Sequence, residues 1–157
     1  MRFPILNSTY RILNEKIAET KNEIKQNSKD IGAAAELGDL KENAEYHAAK
    51  ERQVLLFERM NRLKTYLNSE RVDLSGSVPK SVSFGCSVTV TDTETKESHT
   101  FSLIGPAEYE LELFSDMVTI GAPVAKLLVM KKVGDIVNFN FGDNSWTGEI
   151  TEIRVLE

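Results

Sequence analysis

Two stripes of apolar residues at helical spacing dominate the first half of the sequence. The first recurs at intervals of 4, 7 and 7 residues and consists of Leu13, Ile17, Ile24 and Ile31. The second steps by 7, 4, 3 and 4 residues and consists of Ala49, Leu56, Met60, Leu63 and Leu67. Charged residues fill the positions between them, so the pattern predicts two amphipathic helices with coiled-coil seams.

Only the short turn Leu37-Gly38-Asp39 separates the two predicted helices. Neither helix can bury its stripe alone, and so short a connection forces the pair to lie antiparallel and to bury each other. Roughly 30 residues per arm, at ~1.5 Å per residue, gives an arm of about 45 Å. The sequence therefore predicts a helical hairpin, and we call its turn the tip.

From residue 76 onward the pattern changes to short alternating runs that are typical of β-strands. The predicted strands are residues 82–91, 99–104, 111–114, 117–120, 136–141 and 146–155. One short helix is predicted over residues 123–131, because Pro123 favours a first helical turn. The segment 73–79 has the composition of a linker. We therefore predict an α+β chain with a helical domain over residues 1–75 and a β-rich domain over residues 76–157.

Charge and composition exclude several classes of function. The net charge of −5 over 157 residues argues against a protein that holds nucleic acid mainly by coating its phosphates. Residues 1–75 carry 13 basic and 12 acidic side chains, whereas residues 76–157 carry 6 and 12. The single Cys86 excludes an internal disulfide and a cysteine-rich zinc site. The sequence has neither a signal-peptide pattern nor a membrane-spanning run, so we expect a cytoplasmic protein without a membrane partner.

The acidic residues at the tip have two explanations. In the structural one, Gly38 ends the first helix in a left-handed conformation, Asp39 caps the second helix and Glu42 completes a capping box. In the functional one, the same two carboxylates are presented together as metal ligands or bases. Two carboxylates complete a magnesium site in a partner but cannot build one alone. We therefore do not expect an enzyme that acts by itself.

The stretch GDLKENAEYHAAKE, from Gly38 to Glu51, resembles the signature of the bacterial Gre transcript-cleavage factors, most closely the GreA subgroup. The resemblance continues in order through segments 82–88, 103–108, 122–128 and 132–135, and it covers essentially the whole chain. It implies a coiled-coil hairpin followed by an FKBP-like docking domain with one short helix. It also implies a monomer that binds bacterial RNA polymerase and meets the 3′ end of backtracked RNA in the secondary channel.

The resemblance further implies roles for individual residues. Asp39 and Glu42 are the acidic pair lent to the polymerase active site, where Asp39 would help hold a Mg²⁺ ion that the polymerase supplies. The protein needs no cofactor of its own, and it stimulates an activity of the polymerase. Asn43 and Tyr46 would support the tip, although a polar helix turn with one packed aromatic ring explains them equally well.

Predictions for four further positions complete the site. Lys50 and Arg52 would form a basic patch that steers RNA, or they are solvated charges on a coiled coil. Pro123 would contribute to polymerase docking. His47 is expected to lie on the surface.

The sequence also departs from the family pattern. Ala35 and Leu37 stand where the family commonly has arginine and histidine, and Ala122 and Met130 replace a serine and a glycine near the docking helix. These differences leave a second hypothesis open, a regulator or inhibitor that occupies the channel without stimulating cleavage. A third hypothesis is a coiled-coil adaptor unrelated to polymerase.

Overall fold

A computed structural model describes residues 2–39 and 43–157 of the chain. Its helices are α1 (Asn7–Ala35), α2 (Ala44–Thr65), α3 (Pro106–Glu110) and α4 (Pro123–Leu128), and a 3-10 turn covers Tyr66–Asn68. Its strands are β1 (Pro4–Leu6), β2 (Glu70–Val72), β3 (Cys86–Asp92), β4 (Ser98–Ile104), β5 (Met117–Thr119), β6 (Ile136–Phe141) and β7 (Asn144–Val155). The α+β class predicted from the sequence is confirmed.

The described residues form two compact units. A helical unit comprises Arg11–Asn68, and a β-rich unit comprises the residues up to Tyr10 together with Ser69–Glu157. The β-rich unit includes the start of the chain because β1 pairs in parallel with β2, with Ile5 opposite Arg71. Residues 2–10 and 69–75 thus pack with the β-rich unit, although the predicted boundary after residue 75 assigns them to the helical part.

The buried residues of α1 include fewer of the predicted apolar residues, and more polar ones, than the apolar stripe in the sequence suggests. Leu13 and Ile17 are buried, but the next seam positions include the buried polar residues Thr20 and Asn27. Thr20 satisfies its hydroxyl within the helix by donating to the Lys16 carbonyl at 2.8 Å. In the half of α1 that leads to the tip, polar as well as apolar side chains therefore occupy the buried positions.

Three side-chain bonds define how α1 and α2 run. Glu23 pairs with Arg59 at 2.9 Å, Asn27 donates to the Ala49 carbonyl at 3.0 Å, and the Ala34 carbonyl accepts from Asn43 at 2.6 Å. As the residue number increases along α1, the number of the bonded residue on α2 decreases, so the helices are antiparallel. On α2 the buried positions Leu56, Met60 and Leu63 continue the predicted seam.

The β-rich unit is built on a five-stranded sheet in the order β5-β4-β3-β7-β6. Neighbouring strands are antiparallel except β4 and β5, which are parallel. Helix α4 covers the core side of the sheet with its buried residues Ala125 and Leu128. The sheet core also contains Cys86, as expected for a packing residue, and Trp146 stacks on the buried Phe139 at a centroid distance of 4.2 Å.

Three predicted elements of this unit are wrong in detail. The strand predicted over residues 82–91 begins only at Cys86. The strand predicted over residues 111–114 does not form, since Leu111 is the C-cap of the unpredicted helix α3. Glu108 stabilises the start of α3 by accepting a hydrogen bond from the Gly105 N–H at 3.1 Å. Helix α4 ends at Leu128, three residues earlier than expected, because Val129 leaves helical geometry.

Candidate functional site

The first helix of the hairpin stops in a tight turn at the tip. The amides of Glu36 and Leu37 bond to the carbonyls of Ala33 and Ala34 at 3.3 and 3.1 Å, which closes the last turn of α1. Gly38 follows with φ of +136°, and nothing lies within 4 Å of a Cβ added there. Glycine is thus needed at the tip for its backbone angle, and the predicted left-handed end of the first helix is found. Asp39 comes next and is exposed to solvent.

The predicted cap of the second helix is wrong. Helix α2 begins at Ala44, and its N-cap is Asn43, whose side-chain oxygen accepts from the Tyr46 amide at 3.1 Å. Asp39 lies four residues before that cap, so capping of α2 does not account for its carboxylate. Glu42, the other half of the predicted capping box and acidic pair, lies outside the described residues.

Asn43 connects both helices at the tip. Besides capping α2, its side-chain amide donates to the Ala34 carbonyl at 2.6 Å, and Ala34 lies in the last turn of α1. That carbonyl already accepts from the Leu37 amide at 3.1 Å, so Asn43 gives it a second donor. One asparagine therefore bonds to the last turn of α1 and satisfies an orphan donor at the start of α2, and it holds the two ends of the tip segment together.

Two aromatic side chains follow Asn43 on α2. Tyr46 is half-buried, and its ring meets His47 edge-on at a centroid distance of 5.7 Å. His47 itself is exposed, as predicted.

The two basic residues predicted to steer RNA have different surroundings. Lys50 is exposed and has no ion pair among residues 2–39 and 43–157. The Arg52 guanidinium lies 3.9 Å from the Glu23 carboxylate, which holds Arg59 more closely at 2.9 Å. Exposed pairs of this kind contribute little stability. Part of the positive charge of Arg52 is nevertheless offset by Glu23, so Lys50 is the less compensated of the two cations.

Negative charge prevails around the tip. Residues 30–49 include five acidic side chains and one basic one, Lys41. A surface with this balance attracts metal ions and basic groups and repels phosphates.

The described residues of the tip do not gather enough ligands for a metal ion. In the part of the chain that the structure describes, no three His, Cys, Asp or Glu residues come together as a potential metal site. The carboxylate of Asp39 is a hard oxygen ligand of the type Mg²⁺ prefers, but one or two such ligands leave most of the coordination sphere to be filled by others. The tip therefore fits a role in which the partner supplies the rest of the site.

The β-rich unit carries a second candidate surface around α4. Pro123 is exposed at the first position of α4. The segment after the helix exposes three apolar side chains, Met130, Val133 and Ile136, with exposed fractions of 73, 60 and 54%. Lysines accompany them, because Lys126 lies on α4 and Lys131 and Lys132 follow Met130 in the chain. We call the three apolar residues and these lysines together the docking patch.

Two backbone hydrogen bonds connect the docking patch to Val82. The Met130 amide donates to the Val82 carbonyl and the Val82 amide donates to the Lys131 carbonyl, both at 2.8 Å. These bonds hold Met130 at φ of +73°, a left-handed conformation that favours glycine. The geometry fits the glycine that the resemblance implies for this position. The sequence showed the substitution but could not show that it occupies a strained angle.

Both units match transcription elongation factor families. Residues 3–72 match the family described as transcription elongation factor, N-terminal, of GreA and GreB, and residues 77–155 match the GreA/GreB C-terminal family. The chain therefore belongs to the Gre family of transcription elongation factors. Family membership implies RNA polymerase as its interaction partner.

Individual relatives place the chain in the GreA subgroup. It is 36% identical to transcription elongation factor GreA of Rickettsia canadensis over 155 residues, covering 98% of this chain and 94% of the relative. It is 38% identical to GreA of a Sulfurovum species over 152 residues, covering 96% and 93% of the two chains. Among solved structures, GreA factor homolog 1 of Thermus thermophilus matches with 18% identity and a TM-score of 0.45, covering 98% and 99% of the two chains.

No described helix combines the length and the apolar character that crossing a membrane requires.

Proposed function

We propose that this elongation factor passes its helical hairpin into the secondary channel of bacterial RNA polymerase and stimulates cleavage of backtracked RNA. The observation that carries the proposal is the position of Asp39. It is exposed directly after Gly38 in the turn between two antiparallel helices, four residues before Asn43, the N-cap of α2. Helix α1 has 29 residues, which corresponds to about 43 Å at ~1.5 Å per residue. An arm of this length suits a role deep inside a channel.

The proposed chemistry divides between the factor and the polymerase. Asp39 contributes a carboxylate oxygen to the second Mg²⁺ of the polymerase, and Glu42 orients or deprotonates the attacking water. The metal supplies charge stabilisation when the polymerase holds it, and this chain supplies ligands and a base. Asn43, as the N-cap, determines where the tip segment ends and α2 begins. By this division the protein alone, as a monomer without a cofactor of its own, cuts no RNA.

Docking is assigned to the β-rich unit. Pro123 and the docking patch combine exposed apolar groups with a cluster of lysines on a half of the chain that is otherwise acidic. Such a surface suits a polymerase element with apolar side chains and an acidic border. Lys50, and to a smaller extent Arg52, would guide the extruded RNA 3′ end along the hairpin.

The test is a cleavage assay on purified backtracked polymerase complexes. The wild type should shorten the RNA faster than polymerase alone, and Asp39→Asn should lower that stimulation by about 10²-fold at saturating factor. Glu36→Gln removes a neighbouring exposed carboxylate and should leave the stimulation unchanged. A wild type that does not accelerate cleavage, or a fully active Asp39→Asn variant, would contradict the proposal.

A second candidate function is a channel-binding regulator that does not stimulate cleavage. Leu37 and Ala35 favour it, because both stand beside the tip where basic residues would contact RNA. In this case the wild type should bind polymerase and slow elongation while leaving backtracked RNA intact. The cleavage assay combined with an elongation-rate measurement separates the two functions.

A further inference from the structure

A groove next to the tip is not used by the proposed chemistry. It is lined by Asp30, Ala33, Ala34, Leu37, Glu45 and Ala49, has a volume of about 360 Å³, and is called the tip groove below. Leu37 and Glu45 also line an adjoining depression that includes Asp39 and Asn43. Leu37 and Glu45 therefore border both the groove and the surface that carries Asp39.

The apolar part of the tip groove is exposed. The Leu37 side chain is 68% accessible, although it stands beside the small residues Ala33 and Ala34 on the same helix end. Across the groove, Ala49 of α2 is half-buried and adds a further methyl group. Contact with an aliphatic group of a partner would remove this leucine from water, which is favourable.

Carboxylates flank the apolar part. Asp30 accepts a hydrogen bond from the Gln26 amide at 3.0 Å, and no ion pair within residues 2–39 and 43–157 involves Asp30 or Glu45. The wider segment, residues 30–49, has five acidic residues against one lysine. The groove thus presents an apolar contact with negative charge on its border.

We infer that the tip groove binds a polymerase protein segment through a lysine or arginine side chain. The aliphatic stem of such a side chain packs against Leu37 and the neighbouring alanines, while its cationic head lies between Asp30 and Glu45. An RNA phosphate does not fit, because the carboxylates would repel it. The inference rests on the proposed function, since entry of the hairpin into the channel is what brings the groove to the polymerase.

The first experiment measures the factor concentration that gives half-maximal cleavage of backtracked complexes. Leu37→Ser should raise this concentration about tenfold, and the double variant Asp30→Asn with Glu45→Gln should raise it several-fold. Leu55→Ser is the matched control, because Leu55 is 65% exposed on α2 and lines neither depression. Circular dichroism confirms that each variant retains its helices.

The second experiment identifies what the groove contacts. A photoreactive p-benzoyl-phenylalanine in place of Leu37 should crosslink to a polymerase subunit in the assembled complex. A crosslink to labelled RNA and not to protein would overturn the inference. So would equal half-maximal concentrations for Leu37→Ser and Leu55→Ser in the presence of an active wild type. A wild type without cleavage activity would instead contradict the proposed function, so the two failures are distinguishable.

Discussion

Replacing Met130 by glycine should stabilise the β-rich unit. Met130 is held at φ of +73° by the hydrogen bonds around Val82. A left-handed conformation costs a residue with a Cβ roughly 1–2 kcal/mol. Glycine removes this cost but loses roughly 0.5–1 kcal/mol through its greater freedom in the unfolded chain. The side chain is 73% exposed, so little buried area is lost with it.

The central expectation for Met130→Gly is a gain of about 0.5–1 kcal/mol, which raises the melting temperature of a unit of about 100 residues by about 2–8 °C. Thermal unfolding followed by circular dichroism measures it. Met130→Ala keeps the Cβ and the strained angle, so its stability should stay close to that of the wild type. Gly134→Ala provides the reverse change, because Gly134 has φ of +94° with open space around a built Cβ, and it should destabilise by about 0.5–1 kcal/mol after the same entropy term is subtracted.

A glycine variant no more stable than Met130→Ala would refute the reasoning, because it would mean that the left-handed angle stores no strain. The same variants test the docking patch separately from stability. If Met130 contacts polymerase, Met130→Gly should bind polymerase more weakly even though it melts at a higher temperature. A fall in both quantities would show that the patch had lost its shape.

Three other substitutions test hydrogen bonds and titration. Asn43→Asp keeps the acceptor for the Tyr46 amide but loses the donor to the Ala34 carbonyl, which keeps its bond from the Leu37 amide. A melt should therefore show a loss of about 0.5–1.5 kcal/mol, and saturating cleavage should fall; unchanged values would exclude the proposed connection. Burial raises the pKa of Glu108. Its protonated form therefore stabilises the fold at acid pH, and this contribution is lost as the pH rises through the folded pKa. Glu108→Gln should accordingly have a higher melting temperature than the wild type at pH 8 but not at pH 4. Although burial opposes it, hydrogen bonds from Ser8 and Leu74 hold the pKa of Glu157 below its ordinary value. Its stabilising effect is therefore present above about pH 4.5 and is lost as the pH falls through the lowered pKa. Glu157→Gln should cost about 1 kcal/mol at pH 7, and this cost should shrink as the pH is lowered below about 4.5.

Local patterns were sufficient for most of the elements. The seams of α1 and α2, the hairpin turn at Gly38 and the alternation in β3, β4, β6 and β7 all depend on residues close in sequence, so periodicity located them. The pairing of β1 with β2 was missed, because it joins three-residue strands more than 60 residues apart and neither has a pattern of its own. Helix α3 was also missed, since five residues are too few for a helical period.

At the tip, the sequence identified the acidic residues and the glycine turn but chose the wrong cap. Asp39 and Asn43 are both good N-cap residues, and their local sequences do not distinguish them. The choice depends on the Ala34 carbonyl of the other helix, which accepts a second hydrogen bond from Asn43 and so favours a start at Ala44. A long-range contact of this kind has no signal in the sequence of α2.

By itself, the sequence determined the class of the chain, its two-part organisation and the position of Asp39 between two helices, because these depend on composition and on periodicities that neighbouring residues create. Only the tertiary structure decided that Asn43 connects the helices, that Met130 occupies an angle suited to glycine, and that Leu37 borders an acidic groove. Each of these depends on atoms brought together from different elements. The physical reason is that hydrogen bonding and burial act on distances in space, which the order of residues does not record.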